Sequence, residues 1–181
     1  TTDTVSYGDP QAGYYAGLYT GGVYDVYIDD DCEFYDNHRG GISGAGTTIY
    51  VGRAKFRDSG SFSKMGFPDY GDTTQYAINI EDTHCSKLIV NGAEFKNLKQ
   101  AILGNLRKLD VTDCDFKNVE ITGVMSYGCA ISNIKNNTFD KVGRAFNVEQ
   151  RHNLYTQKQF FADSNVIRNS SIGFDSSNFP K

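Results

Sequence analysis

A short motif built around a phenylalanine recurs along the chain. It reads DDDCEFYDN around Phe34, VGRAKFRDS around Phe56, VNGAEFKNL around Phe95, VTDCDFKNV around Phe116 and IKNNTFDKV around Phe139. A looser copy, ADSNVIRNS, puts Val166 in the Phe slot. Successive landmarks lie 22, 39, 21, 23 and 27 residues apart. The long interval is one repeat of about 22 residues carrying an insertion of about 17, a period typical of stacked repeat arrays. A chain with such a period builds a fold by stacking like units on each other.

Further columns follow from the same alignment. Five residues before the landmark stand Val51, Val90, Val111, Ile134 and Phe161, and seven before stand Ile49, Leu88 and Leu109. Cys32, Ala54, Ala93 and Cys114 lie two before it, all small, and Cys85, Leu106 and Cys129 lie ten before. Ile42, Ile102, Val124 and Phe146 come seven or eight after. Within each piece apolar residues alternate with period two, the strand pattern. Asn91-Gly92, Asp113 and Asn136-Asn137 mark a turn before each Phe, and Asn97 and Asn118 mark one after it. The unit reads as strand, tight turn, strand, Asn-bearing turn, strand and return loop.

Composition agrees. The 19 Gly, 17 Asp and 14 Asn exceed a quarter of the 181 residues. All three favour turns and are poor helix formers. With 12 Tyr, 12 Phe and no Trp, the aromatic content favours strands. A net charge of -4 argues against a nucleic-acid partner, which needs a basic face. No run approaches the 18 apolar residues of a membrane span. The alignment puts all four Cys at apolar positions, so they read as free, buried thiols made in a reducing compartment and not as disulfides. The polar start, without a leader, and the end just after a strand-like segment suggest a piece of a longer protein.

A three-strand unit of this length resembles the right-handed parallel β-helix of the pectate-lyase-like kind. The resemblance covers about residues 24–179 and implies an all-β solenoid of about seven coils, the first partial, with three short strands per coil. Residues 1–23 would be a lead-in and partial first coil. Residues 24–181 would be the β-helix domain, with a loop insertion at about 59–75. The competing architecture is an antiparallel sandwich with evenly spaced strands. It would not repeat small inward residues and Asn turns in the same columns. The strand around Ile172–Phe174 would leave an open edge.

Function in such a fold sits on an outer face. The third strand carries AINIE, AILGN, GVMSY and AFNVE. Its outward residues form one column of Asn79, Leu103, Met125 and Asn147 and another of Glu81, Asn105, Tyr127 and Glu149. Amides and acids bond sugar hydroxyls, and an aromatic covers the apolar sugar face. The expected substrate-binding residues are therefore Asn79, Asn105, Tyr127 and Asn147, with Tyr70 from the insertion and Arg151 from a second extension (149–159). Glycoside hydrolysis needs two carboxyls. Glu81, Asp82 and Glu149 are the candidates, although Glu81 and Glu149 alone lie about 14 Å apart by strand spacing. Glu94 and Asp115, adjacent in one column, read better as a surface charge ladder. A Ca²⁺ site from Asp29–Asp31 or from Asp110, Asp113 and Asp115 is disfavoured, because neighbouring strand residues point to opposite faces. His38, His84 and His152 make no metal constellation. No metal or cofactor is expected.

The resemblance implies two branches. One is a bacteriophage tailspike-type appendage, commonly a homotrimer, assembled in the host cytoplasm into the virion tail, that binds and in some cases cleaves a bacterial surface polysaccharide. The other is a secreted monomeric lyase or glycoside hydrolase. A non-enzymatic stalk is a third option. Buried thiols, acidic charge and the fragment-like ends favour the first, with no membrane insertion and no nucleic acid. No family-specific catalytic motif supports carrying a mechanism over.

Overall fold

The computed structural model describes residues 16–21, 25–35, 40–45, 48–58, 76–80, 86–149 and 159–176. The local geometry starts at two turn positions. Three residues before the landmark, Asp31, Gly92, Asp113 and Asn136 have φ between 56° and 76°. Two residues after it, Asp58, Asn97, Asn118 and Lys141 have φ between 53° and 58°, and in the last repeat Ser164 and Asn169 take the same conformation at 54° and 53°. This left-handed region is costly for most residues and tolerated by Gly, Asn and Asp. The turn-rich composition is thus spent on two bends per repeat. Side chains tie the second bend together between repeats. Asn97 donates to Asp58, and Asn118 donates to Asn97, each at 3.0 Å.

Between the bends the chain is extended. Among the described residues there is no helix, and the strands form two sheets. One sheet takes the strand before each Phe. It runs β14 (Gln159–Asp163), β12 (Ile131–Lys135), β10 (Lys108–Thr112), β8 (Lys87–Asn91), β5 (Thr48–Val51), β2 (Val26–Ile28). The other runs β1 (Ala16–Gly21), β4 (Gly40–Ala45), β7 (Tyr76–Ile80), β9 (Glu94–Gly104), β11 (Asp115–Tyr127), β13 (Thr138–Glu149), β15 (Val166–Arg168). Beside this path, β3 (Glu33–Tyr35) pairs β6 (Lys55–Arg57), β6 pairs β9, and β16 (Ile172–Asp175) pairs β13. Every described pairing is parallel. An antiparallel sandwich is therefore excluded for these residues.

The expected second and third strands are continuous in β9, β11 and β13. One left-handed residue bends the strand without ending its hydrogen bonding, leaving only a register irregularity between Val119 and Thr122. Three short strands per repeat thus become one short and one long, bent strand here.

The columns lie in register. Val51, Val90, Val111 and Ile134 are consecutive partners, as are Ile42, Ile78, Ile102, Val124 and Phe146. All are buried. Phe34, Phe56, Phe95, Phe116 and Phe139 stack with ring centroids 4.5–5.0 Å apart and planes within 7° of parallel. That is the strand-to-strand spacing, so the sheet's own geometry fixes the ring stack. The small column becomes polar at one end. Asn137 accepts from the Cys114 N–H at 2.9 Å and donates to the Val111 carbonyl at 3.0 Å, which satisfies an amide that is 1% exposed. Cys114 and Cys129 are buried free thiols, and Cys32 is half-buried and free. Cys85 lies outside the described residues.

The last repeat corrects the alignment. Phe139 pairs with Ile167, and Ile134 pairs with Ala162. Ile167 therefore takes the Phe slot, and Val166 pairs with Thr138 instead. Phe161 pairs with outward Asn133 and is exposed, while Phe160 packs against the core. A slip of one residue moves every side chain to the opposite face. Adjacent Val166 and Ile167, and adjacent Phe160 and Phe161, gave the alignment two apolar choices at each place. The bend at Asn169, two after Ile167, marks the true register.

Candidate functional site

The long strands carry the face on which the sequence places binding. Asn79, Leu103, Met125 and Asn147 are consecutive register partners, and Tyr127 pairs with Glu149. Asn105 follows Gly104, and its backbone N–H donates to the Ile80 carbonyl at 2.8 Å. Glu81, Asp82, Tyr70 and Arg151 lie outside the described residues, as do 59–75, 150–158 and all three His. Leu103 and Asn147 are 3% and 2% exposed. Tyr76, Leu103 and Met125 form a small buried cluster with Tyr127 packed on it. The Tyr76 hydroxyl donates to the Met125 sulfur at 2.9 Å. Asn147 donates its amide to the Glu149 carboxylate at 3.3 Å. The Asn79 and Asn147 side-chain oxygens are buried without a hydrogen-bond donor. This face is thus an apolar centre with an amide at each end, and less open than outward alternation implies.

The candidate carboxyls stand as follows. Of Glu81, Asp82 and Glu149, only Glu149 is described. Glu94 and Asp115 are adjacent partners on exposed positions, with Lys55 beside Glu94. Asp110 is bound by Lys108 at 2.8 Å and by Asn133 at 2.6 Å. Among the described residues no three His, Cys, Asp or Glu gather as a metal site.

A second site lies on the other sheet. Tyr27 and Tyr50 are register partners one residue after the inward Val26 and Ile49, so they point outward. Their rings stack 4.7 Å apart and are parallel within 1°. Tyr27 is 64% exposed. Beside them runs a groove of about 400 Å³, lined by the tyrosines, Asp29, Gly52, Ile89 and Asn91 among others. Gly52 has no side chain, and a Cβ there would stand 2.8 Å from an Asp30 carboxylate oxygen. Asp30 is itself held from the side. The Arg53 backbone N–H donates to one carboxylate oxygen and its Nε to the other, both at 2.9 Å. Those hydrogen bonds hold the Asp30 carboxyl below its ordinary range. Loss of water in the stack, then Asp25 and Tyr50, push the Tyr27 phenol above its ordinary value.

Comparison with protein-family models, curated proteins and solved structures gives no match. Chemistry therefore has to carry the assignment. A flat aromatic pair beside a shallow groove holding a carboxylate and an amide fits a hydroxylated ring with one apolar face. The expectation placed the site on the third strand and passed over this one. Spacing did not mark it: Tyr27 lies seven residues before Phe34 and Tyr50 six before Phe56, and only the pairing of β2 with β5 sets them side by side.

Proposed function

We propose that the chain winds as a right-handed parallel β-helix and forms a segment of a tailspike-type protein that binds a bacterial surface polysaccharide. Parallel pairing of each repeat with the next supports the winding, and parallel crossovers are nearly always right-handed. Such a stack is a rigid support for loops and surface ladders. The observation that carries the binding reading is the stacked Tyr27–Tyr50 pair along its groove. The third-strand face is a second contact surface in the same reading, through the partly exposed Asn79, Asn105 and Tyr127, with the buried Asn147 behind them. Cleavage would require a second carboxyl near Glu149, so Glu81 and Asp82 are the residues to vary if products form. The buried free thiols are in keeping with assembly in a reducing compartment; in this reading that compartment is the host cytoplasm, and the chain belongs to a homotrimer of a virion tail.

The test is retention of the protein on immobilised capsular and wall polysaccharides, with parallel assays for reducing ends and for absorbance at 235 nm. Retention that disappears in a Tyr27→Ala, Tyr50→Ala double variant of unchanged circular dichroism is the expected result. No retention on any surface glycan would sink the reading. Light scattering checks the trimer.

A further inference from the structure

We infer that the tyrosine groove selects neutral or amino sugars and rejects uronic acids. This rests on the glycan-binding reading above and concerns the same groove. The argument begins with which charges are committed. Asp30 is engaged by Arg53 through backbone and guanidinium. Lys55 lies 3.7 Å from Glu33, and Arg57 contacts Glu33 and Asp58. Arg53, Lys55 and Arg57 are thus each engaged by an acid. Asp29 is exposed and lines the groove, and no such tie to it is found among the described residues. Asp25 lies near enough to the Tyr27 phenol to raise its pKa. Among the described residues, the groove lining therefore carries the negative charge of Asp29 and no cation.

An ionised carboxylate is an acceptor only. Two neighbouring sugar hydroxyls can both donate to Asp29, and a sugar ammonium donates with charge assistance. A uronate brings a second carboxylate against the first, and like charges brought together in binding are costly. Asn91, with a donor and an acceptor, takes a further hydroxyl at the other end. A volume of about 400 Å³ lies at the low end for small-molecule sites, room for about one or two sugar rings. Tyr27, the more exposed of the pair, offers the ring face for stacking.

The experiment is calorimetric titration of the full chain with three probes: mannose oligosaccharides, chitosan oligosaccharides and oligogalacturonate. The expected result is that the first two bind and oligogalacturonate binds at least about tenfold more weakly. Asp29→Asn, with unchanged circular dichroism, should weaken chitosan binding and bring the three affinities to within about threefold. Equal wild-type affinity for oligogalacturonate, or an Asp29→Asn variant that keeps the full discrimination, overturns the selectivity. The double tyrosine variant separates the two failures. If it abolishes binding while selectivity is absent, the groove stands and the inference falls. If it leaves binding intact, both fall.

Discussion

Two stretches of this chain share one local geometry and differ in burial. In residues 86–149 the Phe slot holds Phe95, Phe116 and Phe139, each at most 1% exposed. In residues 159–176 the same slot holds Ile167, at 38%, and Phe174, partner of the 4%-exposed Phe146, reaches 50%. The bends are alike: Ser164 and Asn169 adopt the same left-handed φ as Asp113 and Asn118. The register is alike as well. What the last repeat lacks among the described residues is a strand on its far side, since β14 and β15 end their sheets. Burial in a stacked array is thus a property of neighbours, and the same apolar side chain contributes little until a layer covers it.

The sharpest way to break the comparison is Val111→Asp. It puts an unpaired charge into the middle of a buried aliphatic column, and no folded protein should be recovered. A soluble variant with unchanged circular dichroism would end the column assignment. Phe116→Ala removes one ring from a stack with neighbours at 4.7 and 4.5 Å and should cost about 3–5 kcal/mol in urea unfolding. Next comes Gly143→Ala. A Cβ there would run into the Glu120 and Ile121 backbone carbonyls, and overpacking against backbone should cost about 3 kcal/mol.

A pH titration probes the same buried middle. Burial pushes the Cys114 thiol from 9.0 up to about 12. Both states keep the proton below pH 9, so stability is unaffected there. Between pH 9 and about 12 the unfolded chain ionises first, and stability should fall across that window. Cys114→Ala should flatten the fall, and native Cys114 should resist alkylation at neutral pH. The smallest effect belongs to the last repeat. Ile167→Ala should cost less than about 1 kcal/mol, because its side chain is only partly covered. A loss as large as that of Phe116→Ala would mean that a layer covers it in solution.

How much was legible follows from what each signal measures. Period-two alternation and the αL residues are local, so the columns around Phe95, Phe116 and Phe139 and the bends at Asn97 and Asn118 could be read from spacing. The last register could not, because Val166-Ile167 and Phe160-Phe161 are equally apolar and only hydrogen-bond pairing chooses between them. The third-strand columns were legible as rows, since Asn79 to Asn147 do align. Their burial was not, because alternation says which side a residue faces and nothing about what else packs there.

By itself, then, the sequence determined the periodic bends and the identity of the stacked columns in the middle repeats. Gly, Asn and Asp at fixed offsets have one cheap backbone solution, and apolar spacing follows from it. Tertiary structure alone decided the direction of strand pairing, the frame of the last repeat and the groove beside Tyr27. Each depends on atoms from different repeats meeting at about 5 Å, such as a ring on a ring or an Arg53 on an Asp30, and a linear string carries no such distances.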